Sequence, residues 1–499
     1  MNWKAIFKIQ GLLLLLLSVS MIIPLIFSLF YGSDDIDELF YSILITSFSG
    51  LILFLLLKSD ETLRPREGFV AVAMGWISAA AFGALPFWLW GMSGGNYIDC
   101  LFESMSGFTT TGSSILTDIE ALPKGILFWR SFTHWLGGMG IIVLIVAILP
   151  MLGFNSTQLY KAEAAGPTKD KLSPKIKDTA KILWFIYAGM TVIMTILLLT
   201  AGMDLFDALC HTFAALGTGG FSTYNKSVGN FDSLYVEILI TAFMYVSAIN
   251  FFLHYNLIRG NVKGFFRDKE WQFYTTLLLL TGFAIAMNMH FHNYSQEDIS
   301  KYPEVLKYNS SFFLCLRHSF FTTVSLASST GYVTANYEMW PYFSKLMLIL
   351  LMFGGGCAGS TSGGIKQIRL MMVIKIVYNE IKKLTYPRAF FSVKIANDVY
   401  SDPIIKSTIA FVILYISTFA VVSLILTFQG YDIITSFSAS AGTLGGVGPG
   451  LARVGAIENF AFFDDFSTFL LVVNMLLGRL EIYPVLILIY AVFNPRKLH

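Results

Sequence analysis

Phe102-Glu103-Ser104-Met105-Ser106-Gly107-Phe108-Thr109-Thr110-Thr111-Gly112-Ser113 decides the fold, because the chain carries four segments of this kind. Cys210-His211-Thr212-Phe213-Ala214-Ala215-Leu216-Gly217-Thr218-Gly219-Gly220-Phe221-Ser222-Thr223 ends the same way. The third segment ends Ala327-Ser328-Ser329-Thr330-Gly331-Tyr332, and the fourth ends Ala441-Gly442-Thr443-Leu444-Gly445-Gly446-Val447-Gly448-Pro449-Gly450. Each is a short apolar run closed by a Thr/Ser/Gly cluster and flanked by longer apolar stretches. The short runs suit helices of about 10–14 residues, roughly 15–21 Å, too short to cross a bilayer. Extended backbone at membrane depth is tolerated only inside protein or along a wet path. One cluster reads most simply as small-residue helix packing. Four in register predict one shared path with pseudo-fourfold symmetry, where backbone carbonyls replace an ion's hydration shell.

Composition sets the solvent. Of 499 residues, 55% are hydrophobic and 13% charged, and there are 45 Phe. A water-soluble protein cannot bury that much apolar surface, which excludes a cytosolic enzyme, a nucleic-acid reader and a disulfide-stapled secreted domain. The four cysteines stand singly in apolar surroundings, without metal-ligand spacing. Stretches free of charge, or nearly so, cover 9–33, 39–57, 68–98, 131–160, 182–203, 238–258, 271–296, 346–365 and 407–431. The expected fold is an all-α polytopic membrane protein: a two-span preamble over 1–67, then span–pore helix–span units over 68–160, 161–265, 266–395 and 396–499. With both termini cytoplasmic, 25 Lys/Arg fall on the cytoplasmic side and 8 outside, as the positive-inside rule requires.

At these residues the chain resembles the Trk/Ktr/HKT superfamily of potassium transporters, most closely its TrkH branch, over essentially the whole length. Further shared motifs are Trp129-Arg130-Ser131-Phe132-Thr133-His134-Trp135-Leu136-Gly137-Gly138-Met139-Gly140 and Met475-Leu476-Leu477-Gly478-Arg479-Leu480-Glu481. The resemblance implies potassium uptake across a bacterial inner membrane by a homodimer, each subunit with its own four-loop filter. It places the filter at Thr110, Thr111 and Gly112; Thr218, Gly219 and Gly220; Ser329, Thr330 and Gly331; and Gly446, Val447 and Gly448. Potassium would be held at Thr111, Gly112, Gly219, Gly220, Thr330, Gly331, Val447 and Gly448. The key glycines are Gly112, Gly220, Gly331 and Gly448, with Gly219, Gly445 and Gly446 as adjacent candidates. Plant relatives with Ser at the first key position transport sodium, so Gly112 favours potassium. The potassium ion is cargo, no covalent cofactor is implied, and a cytosolic ring of TrkA-like nucleotide-binding subunits is the expected partner.

The stretch Phe353–Lys366 holds six glycines in fourteen residues. Each weakens a helix by up to about 1 kcal/mol relative to Ala, so an unwound intramembrane loop is expected. The resemblance makes it a gate, with Gly354, Gly355, Gly356, Gly359, Ser360, Thr361, Gly363, Gly364 and Lys366 as its residues. Its second component is Arg479, placed between apolar runs 466–478 and 482–495. An intramembrane Arg faces an interior or wet cavity, and Glu481, two residues on, does not share its helix face. Read as a Walker A loop the stretch 353–366 fails, because Gly364 is followed by Ile365 and Lys366 by Gln367, and it holds no GxSxG elbow. His134, His211, His254 and His318 are expected to satisfy local hydrogen bonds, Asp99, Asp207 and Asp432 to cap pore helices, and Glu458, Asp464 and Asp465 to form a solvated face. Basic segments 161–181 and 366–394 satisfy topology and could dock an acidic partner or anionic lipid. A potassium/proton symporter is the alternative function. It needs a titratable residue along the path, and the filter loops have none. A membrane enzyme would need paired carboxylates or a metal cluster at the membrane face.

Overall fold

The computed structural model describes residues 1–57, 64–140, 176–303, 305–389, 391–396 and 398–493. The later part of stretch 131–160, most of the basic segment 161–181 and the last six residues lie outside them. The chain is mostly helical, and the strands described are two-residue pairs, Lys394–Ile395 against Asp398–Val399. Among the described residues six helices are long and apolar enough to span a membrane, or eight if each sharply bent pair is one span.

In the preamble, Trp3–Ser20 continues into Ile22–Tyr31 and returns as Ile36–Leu56. The last of these turns small and polar residues inward (Ser42, Thr46, Gly50) and leaves Phe40, Phe48 and Leu55 exposed. That inversion suits a helix solvated by lipid. A β-carbon on Gly11 would lie 2.8 Å from Gly50 O, so the helices cross backbone to backbone at small residues. Asp35, fully buried, accepts from Ser28 Oγ at 2.5 Å and from Ile126 N at 2.6 Å, capping the closing helix of the first unit.

Four short helices follow as expected: Tyr97–Phe108, Leu205–Leu216, Phe312–Ala327 and Ile433–Gly445. The third has 16 residues, longer than expected. Their N-caps are Asn96, Asp204, Ser311 and Asp432. Of the three Asp residues expected to cap, only Asp432 does. Asp99 lies in the first turn, and Asp207 instead accepts from Thr223 Oγ1 at 2.7 Å and Tyr224 Oη at 2.6 Å. One hydrophobic cluster joins the preamble with units one and four (Trp76, Phe108, Trp129, Met475). A second joins units two and three (Leu216, Met244, Leu326, Met352).

Among the described residues, the closing helices of units two, three and four break beside the Thr/Ser/Gly loops. Tyr342–Gly354 gives way to loop 355–366, as the glycines predict. Leu234–Ser247 bends by 100° into Phe251–Ile258, so 238–258 is not one continuous span. Asp465–Arg479 bends by 115° into Tyr483–Phe493, with Glu481 and Ile482 at φ 52° and 68°.

Candidate ion pathway

The four short helices end in one repeated backbone conformation. The N–H groups of Thr111, Gly219, Thr330 and Val447 donate five residues back, to Ser106 O, Ala214 O, Ser325 O and Gly442 O, at 2.8–2.9 Å. Just before them, Thr110, Thr218, Ser329 and Gly446 are left-handed, at φ 54°, 55°, 57° and 66°. Three of these four are not glycine, although the conformation costs an ordinary residue about 1–2 kcal/mol. Two residues on, Gly112, Gly220, Gly331 and Gly448 have φ 83°, 81°, 79° and 92°. Gly219 and Gly445 are not left-handed, and Gly446 occupies the Thr110 position.

The four glycines close a ring. A β-carbon on Gly112 would lie 2.0 Å from Gly219 O, one on Gly220 2.0 Å from Thr330 O, and one on Gly331 2.0 Å from Val447 O. One on Gly448 would lie 2.7 Å from Thr111 O, returning to the first loop. Ser113 Oγ also bridges this last seam, donating to Gly448 O at 3.2 Å. The loops therefore encircle one axis in chain order, with no room for a side chain at any of the four positions.

Buried polar groups hold the ring from behind. Glu103 pairs with Arg130 Nε at 2.6 Å and accepts from Ile115 N at 2.9 Å and Ser114 Oγ at 3.0 Å. Arg130 donates onward to Ser222 O at 2.9 Å and lies 3.5 Å from the centre of the Phe221 ring. In the second loop His211, seven residues before Thr218 as Glu103 is before Thr110, bonds Ser222 Oγ at 2.9 Å. Ser325 donates to Tyr332 O at 2.7 Å and Ser438 to Leu451 O at 3.0 Å. Of the other histidines expected to bond locally, His254 bonds Val246 O and His318 bonds Thr334 Oγ1, whereas His134 departs from the expectation: it stacks on Phe221, in the next unit, and accepts from Phe221 N at 3.5 Å. Outside the ring an open cavity of about 110 Å³ is lined by Gly112, Gly220, Gly331, Pro449 and Glu458. Asp464 caps the closing helix through Ser467 N, and Asp465 accepts from Asn96 Nδ2 at 2.8 Å, so neither is merely solvated. The Glu103–Arg130 pair was not singled out from the sequence. A charged residue inside an apolar pore helix was the available signal.

Below the ring, loop 355–366 meets the second and third Thr/Ser/Gly loops and the end of the fourth short helix directly. Thr218 Oγ1 donates to Thr361 Oγ1 at 3.3 Å. Ser329 Oγ receives Gly363 N at 2.7 Å and donates to Ser362 Oγ at 3.1 Å. A β-carbon on Gly363 would lie 2.6 Å from Gly445 O. Contact with the first loop runs through Arg479, which donates to Thr110 Oγ1 at 3.2 Å, Thr361 O at 2.9 Å and Gly137 O at 2.5 Å. The loop is unwound yet bonded: Gly356 N donates to Ser362 Oγ, Cys357 N to Ala248 O, Phe251 N to Gly359 O and Lys366 Nζ to Ser362 O. Gly354 ends the helix, Ser360 folds back on Cys357 O, and Gly355, Gly359 and Gly364 are left-handed. Glu481 turns from Arg479 to Arg369, at 2.5 Å.

Residues 38–496 match the family model described as TrkH, cation transport protein. The chain is 38% identical over 500 residues to the Trk system potassium uptake protein TrkH of Escherichia coli K12, covering 99% of each. It is 36% identical to the TrkG protein of the same organism, covering 97% of each. The crystal structure of the potassium transporter TrkH from Vibrio parahaemolyticus matches with TM-score 0.86 and 33% identity over 99% of this chain and all of that one. With a family match over nearly its whole length and the same fold, the chain belongs to the TrkH family of cation transport proteins, membrane transporters rather than enzymes.

Proposed function

We propose that this chain takes up potassium across a bacterial inner membrane by selective, gated conduction. The carrying observation is the closed ring of Gly112, Gly220, Gly331 and Gly448, each pressed against the next loop's carbonyl. Carbonyls fixed this way around one axis substitute for a potassium ion's water shell. The filter comprises the twelve residues Thr110–Gly112, Thr218–Gly220, Ser329–Gly331 and Gly446–Gly448, and potassium sits against the last two of each set. Loop 354–364, with Lys366 and Arg479, is the gate, and Arg479 adds a positive barrier at the inner end. Two spans precede four repeated units, with both termini cytoplasmic. Two copies form a dimer, and TrkA-like nucleotide-binding subunits control the gate from the cytosol.

The test is cation flux into liposomes holding the purified chain, with potassium, rubidium, sodium and lithium, with and without a pH gradient. Flux favouring potassium and rubidium and indifferent to the gradient supports conduction. Flux that requires the gradient supports potassium/proton symport, although none of the twelve filter residues is titratable.

A further inference from the structure

Helix Gln367–Thr385, which carries the gate loop on its N-terminal end, has an unsuitable cap of its own. Its N-cap is Lys366, whose side chain makes no capping bond. A cation there opposes the helix dipole; Gln367 N finds Gly356 O at 3.2 Å and Arg369 N finds Lys366 O at 2.9 Å, which leaves Ile368 N to be satisfied from outside the helix. The acceptor comes from the opening helix of the same unit. Glu270 Oε1, in the first turn of helix Lys269–Phe291, accepts from Ile368 N at 3.0 Å and from Ala358 N at 2.7 Å. One carboxylate oxygen thus ties both limbs of the loop, at residues distinct from those that meet the filter.

The start of that helix is fixed to the segment before it. Asp268 caps it through Trp271 N at 2.7 Å, and Gln272 Nε2 donates to Phe266 O at 2.8 Å. The rings of Phe265 and Phe266 lie 5.3 and 5.4 Å from Trp271. Arg259, Lys263 and Arg267 leave the same segment exposed. The end of this segment, Phe265 to Asp268, is therefore bonded and packed onto the turn that carries Glu270.

We infer that Glu270 is the positioning residue that latches the gate loop shut, and that displacement of segment 259–268 is what withdraws it. The inference rests on loop 354–364 being the gate, and names how that gate is held and released. A carboxylate suits the task because bonds to a charged acceptor are roughly twice as strong as neutral ones, and it offsets the cation at the N-cap.

The experiment is rubidium flux through the full-length chain in liposomes without any partner, comparing wild type, Glu270→Ala, Glu270→Gln and a deletion of 354–364. Wild type is expected to be tight. Glu270→Ala should leak at least tenfold faster (about 1.4 kcal/mol off the closed state), with the preference over sodium unchanged. Glu270→Gln keeps an acceptor oxygen in place and should stay within threefold of wild type. A tight Glu270→Ala beside a leaking deletion overturns the latch and leaves the gate standing, as does a variant that loses thermal stability without leaking. A tight deletion removes the gate, and the latch with it. If Glu270→Ala is not monodisperse, Glu270→Asp decides instead: its carboxylate stops one methylene short, so it should leak, and tightness overturns the latch.

Discussion

Replacing Gly220 by Ala tests whether the ring is a selective device or only a close-packed corner. Two costs follow from the structure. At φ +81° an ordinary residue is strained by about 1–2 kcal/mol. The new methyl group would also stand 2.0 Å from Thr330 O, so that carbonyl must retreat by about 1.5 Å to reach van der Waals contact. Gly202 and Gly430 isolate the second cost. They have φ +92° and +97°, with nothing within 4 Å of a β-carbon. Gly202→Ala and Gly430→Ala should lose the same 1–2 kcal/mol of stability and keep uptake within twofold. Gly220→Ala should lower potassium flux at least tenfold, equivalent to about 1.4 kcal/mol at the barrier, and narrow discrimination against sodium. The assay is paired potassium and sodium flux in liposomes, with thermal melting in detergent as the folding control. A Gly220→Ala protein with wild-type rate and selectivity would falsify the reasoning, because one carbonyl of the ring would then be free to move without consequence.

Arg479→Ala removes donors to Thr110, Thr361 and Gly137. At about 1.5–3 kcal/mol for each bond to a charged donor, partner-free potassium flux should rise tenfold or more, while Arg479→Lys, a single point donor, falls between; unchanged flux in Arg479→Ala refutes its gate role. Glu103→Ala leaves Arg130 unpaired in the interior and should cost about 3–5 kcal/mol, whereas Glu103→Ala with Arg130→Met should melt higher than the single variant in detergent. Asp35→Ala strands Ser28 and Ile126 N and should cost about 1–3 kcal/mol, visible as easier proteolysis between the preamble and the first unit. The Ser467 hydroxyl and N–H hold the Asp464 carboxyl below its ordinary value. A depressed folded value gives stability that is present above the unfolded value near about 4 and lost as pH falls through the folded one. The melting difference between wild type and Asp464→Asn should therefore shrink below about pH 4; a constant difference contradicts this.

The architecture was legible because its signals are local. One Thr/Ser/Gly cluster after a short apolar run reads as helix packing, but four in register announce a shared arrangement, and the six glycines of 353–366 announce the unwound loop. The second break was not legible for the opposite reason. Ser247-Ala248-Ile249-Asn250 contains neither Gly nor Pro, and its bend is held by distant backbone groups, Cys357 N on Ala248 O among them. Pairings across units are invisible to spacing. Glu481 could be denied to Arg479 by helix geometry, yet its partner Arg369 lies 112 residues away. Choosing between Gly219 and Gly220 needed φ, since either glycine fits the motif and only Gly220 is left-handed.

The central claim is that the four glycines enclose the cation site, and rubidium in place of potassium during crystallisation locates it directly. The account predicts anomalous density on the axis encircled by Gly112, Gly220, Gly331 and Gly448, absent in the Gly220→Ala protein. Density confined to the outer cavity beside Glu458, with none on that axis, would contradict it.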